Sequence, residues 1–102
     1  MAYKPKWRDQ FTDQLCSAFL VLKTREECYR FLEDVCTIGE IQALAQRLEA
    51  ARMLRTGHTY DTVAAHTGMS TATISRVKKF LQYGADGYNI VLDRLEQQEN
   101  PS

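Results

Sequence analysis

The chemistry this chain can offer is concentrated in the run Thr71-Ala-Thr-Ile-Ser-Arg-Val-Lys-Lys79. If that run is helical, Ile74, Val77 and Leu81 recur at helical spacing and must turn inward. The surface that remains carries Thr71, Ala72, Thr73, Ser75, Arg76, Lys78 and Lys79. Short hydroxyl and methyl groups lie at the helix start, and cations lie toward its end. Small side chains at the tip of a helix can approach base edges in a major groove, while hydroxyls, guanidinium and ammonium groups hold phosphates. Acidic residues are absent between Asp61 and Asp86, so nothing in this stretch repels a polyanion. The pattern points to a helix that reads double-stranded DNA.

Other chemistries find less support. His58 and His66 stand eight residues apart with no carboxylate partner evident, and His66 is expected to face solvent. The paired acids Glu26/Glu27 and Glu33/Asp34 read as charge decoration of one helix. There is no glycine-rich phosphate loop and no Cys/His spacing of a metal site. Cys16, Cys28 and Cys36 each fall in an expected helix and read as small buried thiols. The chain therefore reads as a non-enzyme with no catalytic residue, no metal and no cofactor. An odd cysteine count without a signal peptide indicates a reducing cytoplasm, and no run reaches membrane-spanning length.

The reading helix needs a partner to position it, and the preceding residues supply one. Thr59 can cap a short helix with Val63 and Ala64 on its inner face. Gly68 supplies the left-handed residue that ends it. Met69 drops into the turn, and Ser70 caps the second helix. Ala64 lies where the two helices touch, and Ile74 and Val77 fill the wedge between them. This is a helix-turn-helix over about residues 59–82.

Upstream, Phe11, Leu15, Ala18, Phe19 and Leu22 form an amphipathic series that predicts a first helix from about Trp7. Thr24-Arg-Glu-Glu27 is a capping box that opens a second helix through Cys36, with Cys28, Phe31, Leu32 and Val35 as its apolar members. A second capping box, Thr37-Ile-Gly-Glu40, opens the longest helix, Ile38 to about Arg55. Ile41, Leu44, Ala45, Leu48, Ala51 and Leu54 make its stripe, and Gly57 is its stop signal. Tyr83 and Gly84 close the motif, and Tyr88, Val91, Leu92 and Leu95 mark a sixth helix. No stretch alternates like a strand. The expected fold is all-α, six short helices in a single domain over residues 1–102, with a loose arm at 1–6 and a polar tail at 97–102.

The formal net charge of zero conceals an uneven distribution. Residues 47–79 carry six Lys/Arg against two Asp/Glu, whereas residues 80–102 carry one against four. Phosphate binding follows the local field rather than the total. The first helix is broadly apolar, with Trp7, Phe11, Leu15, Phe19, Leu20, Val21 and Leu22 covering more than one face. One recognition helix also reads few bases. A homodimer answers both facts. A helical protein-interaction module that does not bind DNA stays open as an alternative.

Three pieces together resemble the Trp repressor family, and within it the short YerC/YecD-type branch. They are Thr37 through Leu48 (Thr-Ile-Gly-Glu-Ile-Gln-Ala-Leu-Ala-Gln-Arg-Leu), Leu54 through Gly57, and Gly68 through Arg76 with its Ala-Thr-Ile-Ser-Arg. The likeness covers about residues 30–82 and reaches the ends only by layout. It implies six helices, an intertwined dimer built from the first three and the last, and two DNA-reading heads. It also implies a candidate ligand pocket. In the resembled repressor, tryptophan sits between an arginine before the motif and one on the recognition helix. Those positions match Arg47 and Arg76, and Thr37 matches a residue lining the same pocket. Val77, however, stands where that repressor has a glycine, and Lys78 and Lys79 replace small polar residues. The β-branched side chain takes space an indole would need. The expectation is a DNA-binding regulator, a repressor in type, whose heads are held ready by packing of Ile74 and Val77 without tryptophan as corepressor. An amino-acid-responsive repressor is the alternative.

Overall fold

A computed structural model describes residues 3–99. Among the described residues there are six helices and no strand: α1 Gln10–Leu20, α2 Arg25–Val35, α3 Ile38–Arg55, α4 Tyr60–Thr67, α5 Thr71–Tyr83 and α6 Gly87–Glu99. The all-α expectation holds. The chain forms two compact units, one ending at Ile38 and one beginning at Gly39.

In the first unit, α1 starts later than Trp7 because Asp9 takes the cap. The Thr12 amide donates to Asp9 Oδ1 at 2.8 Å, and the Asp9 amide donates to Thr12 Oγ1 at 2.8 Å. That reciprocal pair satisfies two amides at the helix start. Trp7 lies in the turn ahead of it. Thr24 caps α2 as expected, accepting from the Glu27 amide at 3.1 Å. The Glu27 carboxylate reaches back one residue further than a standard capping box, to the Lys23 amide at 2.7 Å. Phe19 and Phe31 meet edge to face with ring centroids 5.4 Å apart. Even so, neither α1 nor α2 contains a buried residue. Phe11 is 80% exposed and Leu20 is 84% exposed. The cysteines depart from the expectation of buried thiols: Cys16 and Cys28 are exposed and Cys36 is half-buried. Cys16 and Cys28 lie on α1 and α2, which contain no buried residue, and Cys36 is the extended residue that closes α2.

The second unit holds the core: Ala50, Ala51, Met53, Leu54, Val63, Ile74, Val77, Leu81 and Leu92. The α3 stripe is buried only in its C-terminal half. Leu44 and Ala45 are exposed, contrary to the continuous stripe expected from spacing. In α6 Leu92 alone is buried, while Val91 and Leu95 remain exposed. Gly57 ends α3 at φ 95°, a conformation that glycine adopts without penalty. Of the expected polar tail, Gln97–Glu99 form the last turn of α6, and residues 100–102 lie outside the described residues, as do residues 1 and 2 of the arm.

Candidate nucleic-acid interface

The two helices of the motif are assembled by their caps. Thr59 Oγ1 accepts from the Thr62 amide at 3.2 Å, starting α4. Gly68, at φ 77°, closes it with its amide on the Ala64 carbonyl at 2.9 Å. Between the helices Thr67 has a role that spacing did not reveal. Its hydroxyl donates to the Val63 carbonyl at 2.7 Å and accepts from the Met69 amide at 3.2 Å, which fixes the turn. Ser70 Oγ accepts from the Thr73 amide at 3.2 Å and starts α5. Ala64 and Met69 pack against the core, and Ile74 is 0% exposed. The wedge expected from Ala64, Gly68, Ile74 and Val77 is what the chain builds.

With α5 so anchored, Thr71, Ala72, Ser75, Arg76 and Lys79 are exposed, and Thr73 and Lys78 are half-buried. The Thr73 hydroxyl lies 2.9 Å from Ser70 Oγ, so it belongs partly to the cap. Lys79 Nζ lies 6.0 Å from the Phe80 ring centroid, at the outer limit of a cation–π contact. Arg76 and Arg47 line one cavity of about 480 Å³ with Thr73, Val77, Phe80 and Tyr88. Thr37 is not among the lining residues. Val77 is 3% exposed, so its methyl groups serve the core as well as the cavity wall. Phe80 follows Arg76 by four residues and Thr73 by seven, so its place on this face was readable from helical spacing. Tyr88 was not, because it arrives from α6 through tertiary packing.

A family model for the Trp repressor protein matches residues 10–96. The chain belongs to the Trp repressor family. It is 58% identical over 97 residues to the uncharacterized protein YerC of Bacillus subtilis (strain 168), covering 95% of this chain and 93% of that one. Two solved structures are similar. One is a candidate Trp repressor from Staphylococcus aureus, with TM-score 0.85 and 52% identity over 89% of this chain and 91% of that one. The other is a TrpR-like protein from Eubacterium eligens ATCC 27750, with TM-score 0.86 and 54% identity over 89% of this chain and 94% of that one. Membership in the Trp repressor family suggests a helix-turn-helix DNA-binding regulator, a regulatory and non-enzymatic class.

Charged pairs around the motif were only partly legible. His66 does have a carboxylate partner: its Nε2 lies 3.1 Å from Glu49 Oε2. Glu49 also accepts two bonds from Arg52, at 2.6 and 2.8 Å. The Arg52 bonds hold the Glu49 carboxyl below the usual carboxylate range, and His66 adds to the effect. Glu49 and His66 lie seventeen residues apart, on α3 and α4, and only the tertiary fold brings them together. Arg55 is likewise committed. It donates to the Asn89 side chain at 3.3 Å and to Asp93 at 2.8 Å, tying the end of α3 to α6. Of the six cations in residues 47–79, Arg52 and Arg55 thus spend their charge within the fold. Among the described residues no group of three or more His, Cys, Asp or Glu is placed to hold a metal ion. No helix there is long and apolar enough to cross a membrane.

Proposed function

We propose that this protein is a transcription regulator, a repressor in type, that binds duplex DNA as a homodimer through α5 and needs no tryptophan to do so. The reading covers residues 1–102 as one Trp-repressor-like domain. The observation that carries it is the two-sided character of α5. Ile74, Val77 and Leu81 are buried, and the opposite face presents hydroxyls, then Arg76, Lys78 and Lys79, with no carboxylate on the helix. Thr71 and Ala72 approach base edges, partly through water. Thr73, Ser75, Arg76, Lys78 and Lys79 hold phosphates and set the register. The absence of buried residues from α1 and α2 supports a second copy covering them. The proposed site of action is the cytoplasm, where an odd number of cysteines stays reduced.

A second reading is an amino-acid-responsive repressor. It is favoured by one observation, that Arg47 and Arg76 share a cavity of about 480 Å³ with two aromatic rings. That volume falls within the span of small-molecule sites, roughly 300–1,000 Å³. One experiment separates the two. Purified protein is used to select from a randomised duplex library, with and without free amino acids. The favoured reading expects one consensus of two half-sites in both arms, with binding that weakens steeply as salt rises. Enrichment only in the presence of an amino acid would establish the second reading. No enrichment in either arm would leave a protein-interaction module.

A further inference from the structure

We infer that Asn89, backed by Arg55, is a positioning residue that fixes the angle of the recognition helix. The inference rests on the reading of α5 as the DNA-contacting element. A helix leaves its last carbonyls without intrahelical donors, and those of α5 begin at Phe80. The Phe80 carbonyl accepts from the Gly84 amide at 2.9 Å. The next carbonyl, that of Leu81, accepts from Asn89 Nδ2 at 3.2 Å. The same amide nitrogen donates to Asp86 Oδ1 at 3.2 Å. Asp86 is the single described non-glycine residue with positive φ, at 70°, in the turn between α5 and α6. Asn89 therefore pins both the end of α5 and the strained turn that follows it.

The other side of the amide is held from α3. Arg55 Nη1 lies 3.3 Å from Asn89 Oδ1 and 3.4 Å from the Asn89 carbonyl. Arg55 Nη2 reaches Asp93 at 2.8 Å and Glu96 at 3.5 Å. A guanidinium fork shared among several acceptors is better oriented than one held by a single bond. The arrangement is directional: α3 orients Arg55, Arg55 orients the amide, and the amide holds a main-chain atom of α5. Leu81 sits one turn beyond Val77, so a shift at Leu81 tilts the whole exposed face of the helix. Hydrophobic packing of Ile74 and Val77 sets how deep α5 sits. It is weakly directional, and the hydrogen-bonded end supplies the angle.

Asn89→Ala and Asn89→Leu provide the test. The leucine keeps the volume and the net charge of the site while losing the donor to Leu81, and serves if the alanine variant does not fold. Gln98→Ala, on the exposed surface of α6 and outside the relay, is the control. Each variant is titrated at low temperature, with circular dichroism verifying full helicity, against the duplex selected by the wild type and against a scrambled duplex. Both Asn89 variants are expected to lose about tenfold or more on the selected duplex and less than about twofold on the scrambled one. Amide exchange should speed up over Phe80–Gly84, and Gln98→Ala should match wild type. Equal losses on both duplexes, or no loss on either, would overturn the positioning role. If the wild type binds no duplex, the DNA reading itself fails, and the role falls with it.

Discussion

Val77 faces two ways, toward the core and toward the cavity beside Arg47 and Arg76, so Val77→Ala tests both structural claims made about it. The side chain is 3% exposed. Removing two buried methyl groups costs about 1.6 kcal/mol at about 0.8 kcal/mol each. Incomplete collapse of the space left behind brings the expected loss to about 2 kcal/mol. For a chain of this size that lowers Tm by roughly 8 °C in a thermal melt followed by circular dichroism. Operator binding should weaken by about threefold or more, because Val77 helps hold α5 at its working depth. Wild-type operator affinity should not change on adding L-tryptophan at millimolar concentration, while the variant, with more free space between the arginines, should gain calorimetric heat of binding. Two results would refute the reasoning. A variant melting within about 2 °C of wild type would show that Val77 is not set into the core. A wild type that binds tryptophan in the micromolar range and then grips its operator more tightly would show that the heads are not held ready by packing.

Other expectations follow from the same geometry. Sedimentation at micromolar concentration should give twice the 11.7 kDa chain mass, and Phe11→Glu with Leu20→Glu should shift it to one. Replacing Lys78 and Lys79 with alanine should weaken every duplex alike and lower the salt slope by about one for each phosphate no longer neutralised; a changed sequence preference with an unchanged slope would contradict that role. The Glu49 carboxyl is held low by Arg52, so its contribution to stability is present above the ordinary carboxylate pKa. It disappears as pH falls through the lowered folded value. The Tm difference between wild type and Glu49→Gln should therefore be constant near neutrality, worth about 0.2–1 kcal/mol for such an exposed pair, and vanish in acid.

How much of this was legible depends on whether a residue's partner lies nearby in sequence. Thr59, Gly68 and Ser70 act on amides and carbonyls within four residues, so their types at their spacing were enough to place both helices of the motif. Ile74, Val77 and Leu81 were legible for a related reason: α5 has one buried face, and helical periodicity marks it. The long-range partners of Asn89, Arg55, Glu49 and Tyr88 were not, since they lie eight to forty-one residues away and depend on how α3, α4, α5 and α6 come together. A different limit shows in α1, α2 and the first half of α3. There the apolar spacing was correct as a pattern, yet Phe11, Leu15, Phe19 and Leu44 are exposed in the single chain. Periodicity tells which residues want to leave water without telling which chain will cover them. At about 25 cal/mol for each Å² of apolar surface, leaving several aromatic and aliphatic side chains in water sacrifices several kcal/mol. A stable monomer would have to recover that loss from a core confined to the second unit. The apolar excess of the first helix, which covers more than one face, therefore argues for a second copy of the chain, and the sedimentation experiment bears directly on that step.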